Sequence, residues 1–500
     1  IKVDLLGLGM MAALQDTLEL CAEQKRPVDL AAIPKDDTET FDLMQRADTI
    51  GVFQIESRAQ MATLPRMKPR CFYDVVVEVA IIRPGPIQGD MVHPYLARRS
   101  GKEPVRYIHP DLQPVLERTL GVPLFQEQLL RMAMVMADFS GAEAEELRRA
   151  LSDYRSEERM ERVCSRLRRK MAARGHSEQV TDQVLQAMRS FALYGFPESH
   201  AISFALIAYA SAWMKVHRAP EFYASLLNNQ PMGFYSAATL VRDAKARGLK
   251  ILPVCVNASD WRCTVPRNGE VQLGFCMVGA LSEERARALL VSRIAGPFAS
   301  IDEFRRRTKL PQNDLRTLSN IGALRTLCTH RRDALWHIEQ PLLEEDLFVP
   351  RPSKPHASTP LTRMAPAERL QADFAGTGLT TGPHAMALCR PNLPDAWTAA
   401  ELREAPHGVH LQLAGMVISR QRPGTAKGFV FLSLEDETGV ANVILSPALF
   451  EKFRLTVSQE AFLVVEGIVQ QQEGVTHLKA KRVSPLSSQA LPSAESHDFQ

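Results

Sequence analysis

Five hundred residues at about 150 per domain leave room for about three domains, and a hydrophobic content of 45% excludes wholesale disorder. With 60 Lys and Arg against 57 Asp and Glu, the net charge of +3 excludes a histone-like polycation. It leaves a nucleic-acid partner open, because the placement of cations matters more than their sum. The eight cysteines contain no C-x-x-C pair and no histidine stands at metal-ligand spacing, so reduced thiols are expected rather than a zinc site or a disulfide framework. The longest uncharged stretch, 199–214, is shorter than the roughly 18 apolar residues of a membrane span. The expectation is a cytoplasmic protein without a membrane partner. The chain opens on Ile1 inside the apolar run IKVDLLGLG, which reads as a start within a domain.

Residues 1 to about 110 mix short apolar runs with Pro and Gly, as in IKVDLL, TIGVFQIES and YDVVVEVAIIRPGP, and these predict short strands and loops. From about 124 to 230 the pattern is helical. Ser140 with Glu143 forms a capping box, Gly175 ends a long basic helix, Ser177 opens the next and Pro220 suits a first turn. The loop 194–199 between them is kept out of helix by Gly195 and Pro197. Residues 231–335 predict a smaller unit of short helices, and RPSKPHASTPLT after Pro350 a flexible linker. From about 408 to 485 the chain turns β-rich. Val409, Leu411, Leu413 and Val417 alternate, Asp436 to Gly439 marks a turn, and about five short strands suggest an OB-type barrel.

Positive charge is concentrated in two places. Residues 148–174 hold ten Lys and Arg against four acids, and residues 300–332 hold eight against three. Clustered guanidinium groups suit phosphate, since each can make a bidentate charge-assisted pair. A solvated, ion-paired helix face is the competing reading for either run. Asp4 taken alone is more simply a cap than a metal ligand, and no second acid pairs with it on a neighbouring strand.

The motifs IKVDLLGLG, GVFQIESRAQM, IIRPGPIQGDMVHPYLARRSGKE, GVPLFQEQLLRMA, ELRRAL and YGFPESHAISFALIAYASAWMK, in this order, resemble the bacterial C-family DNA polymerases, the family of the DNA polymerase III alpha subunit. LLNNQPMGFYS and VNASDW resemble its error-prone, damage-associated branch. The resemblance implies a multidomain α+β chain. The end of a palm and start of the fingers would occupy 1–110, helical fingers 111–230, a helix-hairpin-helix region 231–335 and a connecting segment 336–405. An OB-type barrel at 406–485 and a tail at 486–500 would follow. It also implies Mg²⁺-dependent attack of a primer 3′-OH on a dNTP, with primer–template DNA, other translesion proteins and the sliding clamp as partners.

Residue by residue, the resemblance puts Asp4 at the third of three palm carboxylates holding two Mg²⁺ ions, the other two lying upstream of this span, which alone should then not polymerise. Lys2 falls on a lysine near the incoming triphosphate. Arg148 and Arg149 fall on paired arginines for the β and γ phosphates, a pair that one ion-pairing helix face should not accommodate. Tyr194, Gly195, Phe196, Ser199 and His200 fall around the incoming nucleotide, where the next helix N-terminus would face phosphate. Tyr194 and Phe196 are equally readable as core aromatics, and His200 as a cap. Arg83 falls at a template or primer contact, and Gln126 and Gln128 position the fingers helix. For DNA the resemblance points to Arg305, Arg306, Arg307 and Gly322 of the second hairpin.

Three departures stand out. Ser282 occupies a position where the first hairpin commonly has glycine, a costly exchange if that position requires positive φ. Asp153 follows the arginine pair where a basic run is usual. The segment LLEEDLF at 342–348 faintly resembles a clamp-binding peptide through Leu347 and Phe348, but without the usual glutamine it reads rather as a linker anchor. Two alternatives remain at this point, the replicative alpha subunit and a catalytically inert DNA-binding remnant.

Overall fold

A computed structural model of the chain describes residues 6–82, 89–152, 157–192, 196–342, 359–422, 426–472, 475–486 and 497–499. The chain divides into two compact bodies, Ile33–Val216 and a second formed by Ile1–Ala32 with His217–Gln500. The first described helix, α1 (Leu8–Glu23), belongs to the second body.

The body 33–216 is built from α2 (Thr38–Gln45), α3 (Arg58–Met67), α4 (Phe72–Ile81), α5 (Gly89–Arg99), α6 (Gln126–Ala137), α7 (Gly141–Ser152), α8 (Glu157–Ala173), α9 (Glu178–Ala192) and α10 (Glu198–His217). The strand expectation for YDVVVEVAII fails here, because 72–81 is helical. The Asp74 carboxylate accepts the N–H groups of Arg70 at 2.7 Å and Cys71 at 3.2 Å, which starts the helix. Asp74 to Ile81 are then all buried, so the helix has no polar stripe to display its period, and the β-branched run mimics a strand. TIGVFQIES is a loop, tied by Thr49 Oγ1 donating to Ile55 O at 2.5 Å and Gly51 N–H donating to Glu56 Oε2 at 3.0 Å.

The helical punctuation read from sequence is present. Ser140 and Glu143 cap α7 reciprocally at 2.8 and 3.4 Å, and Gly175 has φ 81° just after α8. Leu129 and Met132 of α6, Leu147 of α7, Leu167 of α8 and Met188 of α9 share one core. Lys215 on α10 is fully buried, its Nζ 2.8 Å from Ile50 O and 3.4 Å from Asp48 Oδ1.

In the second body α1 packs on α11 (Ala219–Asn228), which is followed by α12 (Ala237–Ala246). Strand β1 (Lys250–Leu252) pairs in parallel with β2 (Glu270–Gln272). Then come α13 (Glu283–Ile294), α14 (Ile301–Thr308), α15 (Gln312–Asn320), α16 (Arg331–Glu339) and α17 (Pro366–Thr377). The linker run lies outside the described residues apart from 359–362.

The barrel strands are β3 (His410–Gln421), β4 (Val430–Glu435), β5 (Val440–Leu445), β6 (Phe462–Gln472) and β7 (Val475–Pro485). Strands β3–β4, β4–β5, β7–β6 and β6–β3 pair antiparallel, and β5–β7 pair in parallel. That closes a five-stranded barrel in the OB order. Leu411, Leu413 and Val417 point inward with Leu432, Val443 and Val465, as the alternation requires. The turn 436–439 is fixed by Asp436 Oδ1, which accepts from Thr438 and Gly439 N–H at 2.8 and 3.0 Å. Among the described residues no helix is long and apolar enough to cross a membrane.

Candidate nucleic-acid and nucleotide interface

In the body 33–216, Arg148 and Arg149 both reach the same carboxylate. Arg148 Nη2 lies 2.7 Å and Arg149 Nε 3.1 Å from Glu145 Oε1, at spacings of three and four residues. This corrects the expectation that adjacent arginines cannot share an ion-pairing face, since the long side chains converge from either side of the i,i+3/i,i+4 row. Glu145 is held down to about 2 by the two guanidinium groups, Arg148 first. All three side chains are exposed.

The neighbouring basic helix is neutralised in the same style. Lys170 pairs with Glu143 at 2.7 Å, Arg166 with Glu146 at 2.7 Å, Arg168 with Asp182 at 2.5 Å and Arg174 with Asp138 at 2.5 Å. Arg162 and Arg169 remain exposed on its outer side.

At the start of α10, the His200 ring packs against Phe196 at 5.1 Å and Phe204 at 4.2 Å between centroids. Ser199 is exposed, and Phe196 O accepts the N–H of Gln126 at 2.9 Å. The helix N-terminus faces acids: the Glu198 N–H donates to Glu127 Oε2 at 2.8 Å, and Tyr73 Oη donates to Glu198 Oε1 at 2.8 Å. Arg118 stacks 3.7 Å over the Tyr73 ring and stands 3.8 Å from Glu198. Burial and the Glu198 carboxylate push the Tyr73 phenol well above its ordinary range. Gln128 is buried and accepts Leu124 and Phe125 N–H at 2.9 and 3.1 Å, an anchor for α6.

In the second body, Ser282 is the N-cap of α13 at φ −71°, its Oγ accepting the Arg285 N–H at 3.4 Å. The position does not require positive φ, so serine carries no backbone penalty there and the doubt attached to it falls away. The Gly279 N–H of the same hairpin donates to Gly376 O of α17 at 3.0 Å.

The second hairpin does require its glycine. Gly322 has φ 76°, and a Cβ there would lie 2.8 Å from Arg331 Nε. Its N–H donates to Ser319 O at 3.0 Å. A cavity of about 330 Å³ opens beside it, lined by Arg325, Arg331, Arg363 and Arg369 among others.

The RRR run of α14 divides by role. Arg305 donates to His337 O and Gln340 O at 3.1 and 3.0 Å. Arg307 donates to Gly296 O at 2.8 Å, pairs with Glu303 at 2.6 Å and stacks on Phe298. Arg306 is exposed. On the barrel, Lys479, Lys481 and Arg482 of β7 are exposed, Lys481 at the bulge opposite Glu466 and Gly467. The sequence reading did not single these out, although three cations in four residues of an alternating strand were a visible signal.

Lys2, Asp4, Arg83, Tyr194, Gly195 and Asp153 lie outside the described residues, as do Leu347 and Phe348. Among the described residues no three of His, Cys, Asp and Glu converge on a point that would hold a metal ion. They therefore do not by themselves fit a magnesium pair.

Comparison with known proteins gives a consistent order along the chain. Residues 10–175 match the family described as bacterial DNA polymerase III alpha subunit finger domain. Residues 248–334 match a helix-hairpin-helix motif, and residues 411–486 an OB-fold nucleic acid binding domain. The chain is 45% identical to an error-prone DNA polymerase of Anaeromyxobacter sp. (strain K), over 100% of this chain and 46% of that protein. It is 44% identical to that of Azoarcus sp. (strain BH72), over 97% of this chain and 47% of that protein. The figures for error-prone DNA polymerase 1 of Agrobacterium fabrum (strain C58) are 43%, 97% and 47%. The chain spans about half the length of the curated relatives it matches.

Proposed function

We propose, on the premise that this chain belongs to the bacterial C-family of DNA polymerases, that it serves template-directed addition of dNTPs to a primer 3′-OH with release of pyrophosphate, in the error-prone branch that copies damaged templates. One observation carries the reading. Identity to error-prone polymerases runs along the whole chain, through finger, helix-hairpin-helix and OB-fold segments.

In this reading Arg148 and Arg149 exchange Glu145 for the β and γ phosphates of the incoming nucleotide. An exposed ion pair contributes little, so the exchange is cheap, while two forked donors suit a triphosphate. Tyr194, Gly195, Phe196, Ser199 and His200 bound the base and sugar, and Lys2 neutralises phosphate. Asp4 would be a ligand to Mg²⁺, which would supply charge neutralisation at the reacting phosphate. Arg83, Arg306, the Gly322 hairpin and the β7 cations hold the DNA backbone, with Arg305 and Arg307 shaping the hairpin unit. A sliding clamp and other translesion proteins are partners in this reading, with 342–348 as the segment to delete, and the setting is the cytoplasm.

Two measurements test it. Fluorescence anisotropy of the 500-residue chain with primer–template DNA should give sequence-independent binding whose affinity falls log-linearly with salt. In the natural gene product, Arg148→Ala with Arg149→Ala should raise the KM for dNTP at least tenfold while DNA affinity changes little. Salt-insensitive binding, or an unchanged KM, overturns the corresponding part.

A further inference from the structure

Cys263 and Cys276 lie on adjoining segments of the second body, just ahead of the first hairpin. Gly274 makes this possible, because a Cβ at 274 would lie 2.3 Å from the carbonyl carbon of Arg262. The two segments therefore run backbone to backbone. Phe275 N–H donates to Asp260 O at 2.9 Å, Cys276 N–H to Trp261 O at 2.8 Å, and Gly274 N–H to Cys263 Sγ at 3.3 Å. Cys263 is held in place on its other side by Asn228, which accepts its N–H at 2.6 Å and donates to its carbonyl at 3.1 Å. The two thiols are thereby neighbours, each acting on the other more strongly than any other group does.

The two sulfurs are not equivalent. Cys263 is 0% exposed, whereas Cys276 is partly exposed. The neighbouring Cys263 thiol, outweighing burial and helped by backbone N–H groups and the Arg262 guanidinium, holds the Cys276 thiol below its ordinary range. The Cys276 thiol together with burial drives Cys263 the other way. A partly exposed sulfur backed by a sheltered second thiol is the arrangement of an attacking and a resolving cysteine.

We propose that Cys276 and Cys263 form a peroxide-oxidisable dithiol that closes to a reversible disulfide. The Cys276 thiolate attacks one oxygen of a hydroperoxide, the O–O bond breaks, and a sulfenic acid forms with release of hydroxide or alcohol. Cys263 then attacks the Cys276 sulfur, an S–S bond replaces the S–O bond, and water leaves with the Cys263 proton. The two thiols lose two electrons together, and the peroxide oxygens gain them. A dithiol reductant returns the pair by exchange. Because the backbones already lie in contact, closure leaves the hairpin entry in place and ties residues 261–264 to it.

The test is oxidation of the whole chain by hydrogen peroxide, followed by differential alkylation and peptide mass spectrometry. The expected product is a Cys263–Cys276 linked peptide, two hydrogens lighter, restored by dithiothreitol and formed at lower peroxide than modification of the exposed Cys71. Cys276→Ser should abolish the product, and Cys263→Ser should leave a dimedone-reactive sulfenic acid on Cys276. Should Cys263→Ser fail to fold, the wild-type peptide map and Cys276→Ser still decide the matter. A wild-type map in which Cys71 is oxidised while Cys276 stays alkylatable, or in which Cys276 advances to sulfinic acid beside a free Cys263, overturns the proposal.

Discussion

The arginines of α7 and α8 and those around the second hairpin are held by different partners. On α7 and α8 they lean on exposed carboxylates, Glu145, Glu146 and Asp182 among them. Around the second hairpin, Arg305, Arg307, Arg325 and Arg331 lean on backbone carbonyls of His337, Gly296, Val254 and Asn320. A carboxylate pair in water can open and offer the guanidinium to phosphate at little cost. A guanidinium serving as a clasp for buried carbonyls cannot leave without orphaning them. The same residue type is thus held by open carboxylate pairs on α7 and α8 and by backbone carbonyls around the second hairpin, where Arg307 and Arg331 also meet Glu303 and Asp373.

The most severe break of this contrast should come where a cation is tied to a buried acid. Arg242 lies 3.1 Å from Glu435, which is 1% exposed and also meets His384 at 3.3 Å. Burial opposes the Glu435 charge, yet Arg242 and then His384 hold its carboxyl below the usual range. Arg242→Met should destabilise the second body by about 3–5 kcal/mol in urea unfolding, since an uncompensated charge would remain. A loss under about 1 kcal/mol would mean that water reaches Glu435.

Glu78 supplies the reverse case, a buried acid without a cation. Both its oxygens lack a hydrogen-bond partner among the described residues, and burial pushes its carboxyl up to about 8, with Arg99 opposing weakly. The folded chain then keeps a proton that the unfolded chain releases from about 4.5 upward. Its contribution to stability is complete below that value and is lost as pH rises towards 8, at up to about 1.4 kcal/mol per pH unit. Glu78→Gln should flatten this slope in unfolding curves taken from pH 5 to pH 8, and an unchanged slope would place the titration elsewhere.

A smaller effect is expected at the hairpin. Arg331 donates to Asn320 O at 3.0 Å and Arg369 O at 3.3 Å and pairs with Asp373 at 2.6 Å. Arg331→Ala should cost about 2–3 kcal/mol, with the calorimetric transition of the second body moving down. Least of all, Glu145→Gln should leave the unfolding midpoint in place while strengthening salt-sensitive binding of triphosphate or DNA, because it removes the carboxylate charge that Arg148 and Arg149 share. A large drop in midpoint there would erase the distinction between the two sets of arginines.

Much of the local structure was legible in sequence. Ser140 with Glu143, Gly175, Pro220 and the Asp436 turn each act through groups within four residues, so neighbouring residue types suffice to predict them. The barrel strands were legible where burial alternates, as along β5 (Val440–Leu445), whereas residues 413–418 of β3 are buried on both faces. Helix α4 was not, because burial on all sides removes the period that would reveal it. Nor were the roles of the basic runs, since the choice between phosphate ligand and clasp depends on which carbonyl or carboxylate the fold brings alongside. The Ser282 condition was open for a related reason, as an N-cap and a positive-φ turn differ in backbone angle before they differ in residue preference.

By itself, then, the sequence determined the order of finger, hairpin and barrel segments, the caps and turns, and the family, all properties written in contiguous motifs. Tertiary structure alone decided which arginines pair with carboxylates and which with backbone carbonyls, that Glu78 has no hydrogen-bond partner among the described residues, and that the Cys263 and Cys276 segments meet across Gly274. Those outcomes rest on distances between segments, and a side chain's charge, proton and reactivity follow the neighbours it is packed against rather than the neighbours it is joined to.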